Sequence, residues 1–416
     1  MTERKTLSIN GRDYAWPQQP LVVVCIDGSQ PEYIEQAIQG GHMPFTKEMI
    51  VRGADLRGRC VVPSFTNPNN ISIVTGAPPN VHGISGNYFL DPDTGEEVMM
   101  NDPKFLRADT IFKTFHDAGA KVAVVTAKDK LRSLLGHGIN FNTGRAVCFS
   151  SEKADTTSVL THGIDNAQAM VGRDIPEVYS AELSEFVFDA GVKLLDSMAP
   201  DLMYLSTTDY IQHKHAPGTA TANQFYGMMD GYLAQLDAKG ALLAITADHG
   251  MNPKFNESGE PNVIYLQTFL DENLGKDTSR VILPITDPYV VHHGAFGSFA
   301  TAYLPKGTEA SKIANDIASI DGIEAAYTNA VGCEMFDLPT DRMGDIIVVS
   351  TTNKVIGTSP DKHDLSQLEE PLRSHGGVCD QQIPMLLNKP VNSLPKGYEI
   401  RNFDVFSIAL NHTITS

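Results

Sequence analysis

The chain alternates short, solidly apolar runs with longer segments whose apolar residues recur every three or four positions. Residues 21–26 (LVVVCI) have the form of a central parallel strand buried on both faces. Residues 121–126 (KVAVVT), 202–206 (LMYLS) and 241–246 (ALLAIT) repeat that pattern, and 60–62 is a shorter strand candidate. Between them, 31–39, 44–51, 110–118, 181–198 and 220–236 read as helices. Proline sits near the start of the first two, and glycines at 40, 41 and 53 follow their ends. The 181–198 segment carries an apolar stripe at 183, 186, 187, 190, 194 and 195. A further helix covers 71–75 and starts just after Thr66, whereas 136–178 carries only weak signals. Strand and helix in alternation predict an α/β fold, with a mainly parallel central sheet flanked by helices.

The rhythm changes in the last third. Strand-like runs at 298–304, 323–327 and 345–350 surround one helical pattern at 310–320, which predicts an α+β insertion with an antiparallel sheet. The run at 384–387 and a helix at 404–410 then return to the first unit. The expected organisation is a discontinuous core, 1–255 and 373–416, with a cap at 256–372 that covers one edge of the sheet and keeps out water.

Composition narrows the partners. The chain has 32 basic and 50 acidic residues, a net charge of −18, which argues against nucleic acid or an anionic membrane surface. A small anionic substrate would then need local positive charge. Five cysteines, at 25, 60, 148, 333 and 379, show no CxxC spacing and read as reduced thiols. The first twenty residues are polar, and no apolar run reaches membrane-span length. The expectation is a soluble, cytoplasmic protein.

The candidate chemistry lies where the strands stop. Asp27 follows the first strand, Asp209 and His213 follow the 202–206 strand, and Asp248 and His249 follow the 241–246 strand. Thr66 follows the 60–62 run, and His375 comes later in Ser374-His375-Gly376-Gly377. In a parallel sheet these ends share one edge, where open α/β folds bind ligands. Asp209 and His213 are four apart and share one helical face. Taken singly, Asp248 could cap a turn and Thr66 could be a turn or N-cap residue. Taken together, three carboxylates and three imidazoles suit Zn²⁺ better than Mn²⁺ or Fe²⁺. Six strong ligands exceed one tetrahedral ion and suit two, and paired metals serve displacement at phosphorus.

Six stretches carry a resemblance: Asp27-Gly28, PSFTNPNN around Thr66, TGAPPNVHGI from 75, DYIQH from 209, TADHGM from 246 and SHGG from 374. In this order they resemble the alkaline phosphatase superfamily, and within it the nucleotide pyrophosphatase/phosphodiesterase-like branch. The resemblance covers the core and is weak over the insertion. It implies an alkaline phosphatase-like core with two Zn²⁺ per subunit. One zinc would be held by Asp209, His213 and His375. The other would be held by Asp27, Asp248, His249 and the oxygen of Thr66, which would also be the nucleophile. Asn87 is either the family's donor to a phosphoryl oxygen or a left-handed loop residue.

The reaction it implies is hydrolysis of the C–P bond of phosphonoacetate to acetate and phosphate, through a phospho-threonine, within phosphonate catabolism. Such a substrate can place the departing electron pair on its carboxylate as an enediolate, which needs cations nearby. Lys128 and Lys130 follow the 121–126 strand and either bind that carboxylate or are solvated surface. His215 is either a further donor or a loop residue. His82 is expected to pack within its loop, His162 has no assigned role, and His292 and His293 would shape the cleft wall. A homodimer is compatible with these expectations. The alternatives are a phosphodiesterase or nucleotide pyrophosphatase on the same core, or a metal-binding protein without catalysis. A cofactor-independent phosphoglycerate mutase is disfavoured by threonine in place of serine.

Overall fold

Five apolar runs become parallel strands whose every residue is buried: Leu21–Cys25, Val122–Thr126, Ala146–Ser150, Leu202–Ser206 and Leu242–Thr246. The structure, a computed structural model, describes residues 4–286, 294–366, 368–392 and 394–414. Among them the central sheet has seven strands. In spatial order they are Ala54–Asp55, Leu386–Leu387, Leu242–Thr246, Leu21–Cys25, Leu202–Ser206, Val122–Thr126 and Ala146–Ser150. The Leu386–Leu387 strand runs antiparallel to both of its neighbours. The parallel strands finish in step: Cys25 lies beside Ser206 and Thr246, Ser206 beside Thr126, and Thr126 beside Ser150. That common finish brings the segments after residues 25, 126, 206 and 246 to one edge.

Side chains alternate between two apolar layers, as the period of a strand requires. Leu21, Val23 and Cys25 face a layer that includes Ile71, Ile73, Phe112, Phe115 and Phe406. Val22 and Val24 face the other layer, with Tyr33, Met49, Phe186, Phe225 and Leu233. Helices therefore cover both faces, as the alternation predicts. A second, four-stranded sheet is wholly antiparallel, in the order Arg280–Ile282, Phe299–Tyr303, Ile346–Ser350, Ile323–Thr328. Its apolar layer includes Val62 and Phe65, so it is rooted on the segment that leads into Thr66.

Three details differ from the sequence reading. Residues 60–62 are not a strand; the short strand is Gly58–Arg59, paired with Gln382–Ile383. Beyond it the Cys60 amide still donates to Gln381 O at 2.8 Å, and one side chain holds the residues that follow. Asn69 accepts from the Val61 amide at 2.8 Å and donates to the carbonyls of Val61, Pro63 and Phe65 at 3.3, 3.1 and 3.0 Å. Pro63 lacks the N–H a ladder needs, and the side-chain amide replaces the missing strand partner. The polar lead contains a hairpin, Thr6–Ile9 with Arg12–Ala15, turned by Asn10-Gly11 with both φ positive. The last helical segment is a chain of one-turn pieces rather than one α-helix: 3₁₀ at Asn402–Asp404, α at Val405–Ser407 and π at Ile408–His412. His292 and His293 lie outside the described residues.

His82 packs as expected, in the short helix Pro79–His82 against the helix Thr66–Thr75. Its Nδ1 accepts from the Ile84 amide at 3.1 Å, so Nε2 carries the hydrogen and faces Ser72 Oγ at 2.8 Å. Burial, helped by the Arg342 guanidinium, pushes its pKa down to about 3. Above the ordinary value of 6.5 the ring is neutral in both states and contributes nothing. Below it the unfolded chain binds a proton that the folded chain refuses. Stability should therefore fall by about 1.4 kcal/mol per pH unit until the folded value is reached. Urea unfolding from pH 7 to 4 should show a flatter stability curve for His82→Asn than for the parent. Parallel curves would contradict this account.

Candidate metal centre

Two clusters of ligating side chains form at the shared edge. Asp209, His213 and His375 make one, and Asp27, Asp248 and His249 make the other; within each, the ligating atoms lie within 4.8 Å of one another and all three residues are buried. The clusters adjoin, since the rings of His249 and His375 stack at 3.6 Å with 8° between their planes. Asp209 and His213 come from the start and first turn of the helix Tyr210–Lys214. His375 comes from the returning chain, just past the strand Arg373–Ser374. Gly28 makes the close approach possible: its φ is +71°, and a Cβ there would sit 3.0 Å from the Cβ of Asp209.

All three imidazoles are oriented in the same way. The Nδ1 of His249 lies 2.9 Å from Gly250 O, that of His213 2.8 Å from Arg373 O, and that of His375 2.6 Å from Ser64 O. A carbonyl can only accept, so each Nδ1 carries a hydrogen and each Nε2 is the ring nitrogen turned toward the cluster. The Nε2 atoms face carboxylates: His213 at 3.0 Å and His375 at 3.8 Å from Asp209 Oδ2, and His249 at 3.3 Å from Asp27 Oδ1. This is the outer-sphere arrangement that metal-binding histidines use. Asp27 Oδ1 and His249 Nε2 are both buried without a hydrogen-bond partner. A cation there would satisfy both atoms and displace any proton on the ring, and with the two clusters of three ligating side chains the residues present fit a pair of divalent metals.

The titration behaviour reports the same crowding. Burial raises the Asp27 carboxyl well above its usual range, and the Asp209 and Asp248 carboxylates add to this. Burial would also raise Asp209, but His213, Lys128 and His375 outweigh it and hold that group well below its ordinary value. Burial would depress His249, yet Asp248 and Asp27 lift it to about 10. His375 is driven well down by burial and then by the other two imidazoles.

Thr66 is the first residue of the helix Thr66–Thr75 and is half-buried. Among the described residues its hydroxyl takes no protein hydrogen bond. Asn70 ties it to the second cluster: Nδ2 lies 3.0 Å from both Thr66 O and Asp248 Oδ2. The Oδ1 of Asn70 accepts from Tyr204 at 2.8 Å and Ser206 at 3.0 Å, so all of its polar atoms are engaged. Asp248 Oδ1 in turn accepts from the amides of Gly28 and His249. Asn87 is 2% exposed, and its Oδ1 accepts from the Asn67 amide at 2.9 Å. It is absent from the positive-φ residues, which removes the left-handed alternative.

Lys128 lies 3.7 Å from Asp209 Oδ1 with its side chain 13% exposed, so it is not solvated surface. Lys130 is half-buried in the helix Asp129–Leu135. His215 is half-buried at the end of Tyr210–Lys214; burial lowers its pKa, and Tyr33 donates to its carbonyl at 2.8 Å. Sequence reasoning missed Asn70 and Arg373. Arg373 donates to Gln212 O at 2.9 Å and Met251 O at 3.0 Å and so pins the helix that carries His213.

The model of the type I phosphodiesterase / nucleotide pyrophosphatase family matches residues 21–377. The chain belongs to that family. Among solved structures it is similar to phosphonoacetate hydrolase from Sinorhizobium meliloti, in complex with phosphonoformate, at 59% identity and a TM-score of 0.96, covering 98% of this chain and 99% of that one. The same enzyme in complex with phosphonoacetate matches at 58% identity, with the same TM-score and coverage. A murine ectonucleotide pyrophosphatase/phosphodiesterase 5 shares the fold alone, at 18% identity, a TM-score of 0.64 and 96% of each chain. Curated relatives align over less of their own length, from 10% to 42%. They include ectonucleotide pyrophosphatase/phosphodiesterase 1 of Saccharomyces cerevisiae, 26% identical over 62% of this chain and 36% of that one.

Asn70→Ala should leave Tyr204, Ser206 and Asp248 each short of a partner and cost about 2–4 kcal/mol. Denaturant unfolding of the metal-free protein checks this, and a loss under about 0.5 kcal/mol would show that Asn70 does not organise the centre.

Proposed function

We propose that the chain hydrolyses phosphonoacetate to acetate and phosphate at a centre of two Zn²⁺. The observation that carries the reading is the near-complete match, at 59% identity, to a phosphonoacetate hydrolase. The two buried ligand clusters support it. Three imidazoles among the six ligands favour zinc. One ion would be held by Asp209, His213 and His375, the other by Asp27, Asp248 and His249 with the Thr66 oxygen. When bound, the metals supply Lewis-acid charge that lowers the pKa of a coordinated hydroxyl and stabilises developing anions.

The chain's own residues set up the rest. Thr66 Oγ attacks phosphorus and loses its proton to solvent as the O–P bond forms. The C–P bond breaks, its electron pair moves onto the methylene carbon and carboxylate, and a proton from water completes acetate. Water then cleaves the phospho-threonine, releasing phosphate and restoring the hydroxyl. Asn87, oriented through its Oδ1, offers its amide to a phosphonyl oxygen. Lys128 and Lys130 hold the carboxylate as it takes up charge, and His215 serves as a further donor.

A small phosphonate is thus the proposed partner, and a homodimer is a compatible assembly. Five free thiols, without a disulfide among the described residues, support a cytoplasmic location. No helix among the described residues is long and apolar enough to cross a membrane. The family description keeps phosphodiester hydrolysis as the second reading.

Phosphate release from phosphonoacetate and product release from a nitrophenyl phosphodiester, measured side by side with zinc, should strongly favour the phosphonate. Lys128→Ala should lower kcat/KM for phosphonoacetate by about 10- to 100-fold, the loss of one charge-assisted hydrogen bond, and barely affect the ester. Equal losses on both substrates would mean that Lys128 serves Asp209 alone.

A further inference from the structure

The chain leaves the central sheet beside His249 and returns beside His375. The two crossings are joined, Asn252–Pro253 antiparallel to Arg373–Ser374, with the Lys254 amide donating to Leu372 O at 2.8 Å. Lys254 itself is fully buried, an unusual fate for lysine. Its Nζ lies 3.5 Å from each carboxylate oxygen of Asp380, which is 1% exposed. It also donates to Thr352 O at 2.8 Å and lies 3.6 Å from Cys379 Sγ.

Asp380 reaches toward both ligand clusters. Its backbone carbonyl accepts from the Gly250 amide at 2.7 Å, and Gly250 O takes the Nδ1–H of His249. Its carboxylate accepts from the Gly377 amide at 3.0 Å and from Asn252 Nδ2 at 2.7 Å. Gly377 O accepts from Ser64 Oγ at 2.8 Å, and Ser64 O takes the Nδ1–H of His375. A short path of hydrogen bonds therefore runs from one aspartate to one imidazole in each cluster.

A buried ion pair stabilises poorly, because desolvation offsets most of the attraction and apolar replacements often do as well. What it does provide here is position. Resting on the two-metal reading above, we propose that Lys254 and Asp380 form a positioning pair that sets His249 and His375 at the spacing two metal ions require. Neither residue touches a ligand atom of the centre. They act through Gly250, Gly377 and Ser64.

The test uses Lys254→Met/Asp380→Asn, which removes both charges, keeps an amide oxygen for Gly377, and avoids the uncompensated buried charge of either single change. Zinc dissociation constants from competition with a chromophoric chelator, the visible bands of the Co²⁺-loaded protein and thermal unfolding of the metal-free protein are read together. Zinc affinity should fall about 3- to 10-fold, less than the roughly 10- to 100-fold cost of losing a direct outer-sphere partner, because the pair acts one bond further out. The Co²⁺ bands should shift. Asn252→Ala keeps both charges and removes one hydrogen bond to Asp380, so it should give a smaller loss in the same direction. Unchanged zinc constants and Co²⁺ bands in the variants, even with a lowered unfolding temperature, would make the pair a structural lock and overturn the proposal. A parent protein that fails to bind two zinc ions would overturn the two-metal reading, and the proposal with it.

Discussion

Three carboxylates and three imidazoles lie buried at one edge of a parallel sheet. Burying one unpaired carboxylate is costly, and burying three together is worse, because each disfavours the ionised form of the others. The sheet assembles this density all the same, because its parallel strands stop in register and each delivers its polar residues to the same edge. The rest of the structure is arranged to keep that edge ordered.

The order comes from backbone groups more than from side-chain packing. Each ligand imidazole is turned by a carbonyl, and Asp248 is fixed by two amides and by Asn70. Asn69 and Asn70 occupy successive positions of one helix and divide the work. The first holds the segment leading to Thr66, and the second joins Thr66 to Asp248. The antiparallel sheet packs on Val62 and Phe65, and Phe65 sits edge-on to His375 at 5.5 Å. The nucleophile proposed here, the returning histidine and the second sheet are thus one packed unit. A shift in any of them would be felt at the metal edge.

Much of this was legible in the sequence. Apolar runs bounded by Asp-Gly or Asp-His mark both the strand and its functional end, because a central strand must be apolar and its polar successor must serve the edge. The six candidate side chains lie in two clusters, Asp209, His213 and His375 in one and Asp27, Asp248 and His249 in the other. Other features were hidden for physical reasons. Ala146–Ser150 is an edge strand with five residues and little flanking pattern. The 60–62 run is apolar and buried, but Val61 bonds to the Asn69 side chain and Cys60 to Gln381, partners that periodicity cannot reveal. Asn70 has no sequence signal of its own, and its role rests on four contacts to residues far along the chain or one helical turn away. Nothing in the sequence separates Lys254 from the other lysines, and its burial is seen only in the fold.

The most direct test is a crystal structure of the zinc-soaked protein with data collected on both sides of the zinc absorption edge. The account predicts two anomalous peaks per chain, one within bonding distance of Asp209, His213 and His375 and the other of Asp27, Asp248 and His249. A single peak, or peaks bound elsewhere while these six side chains remain unligated, would contradict it.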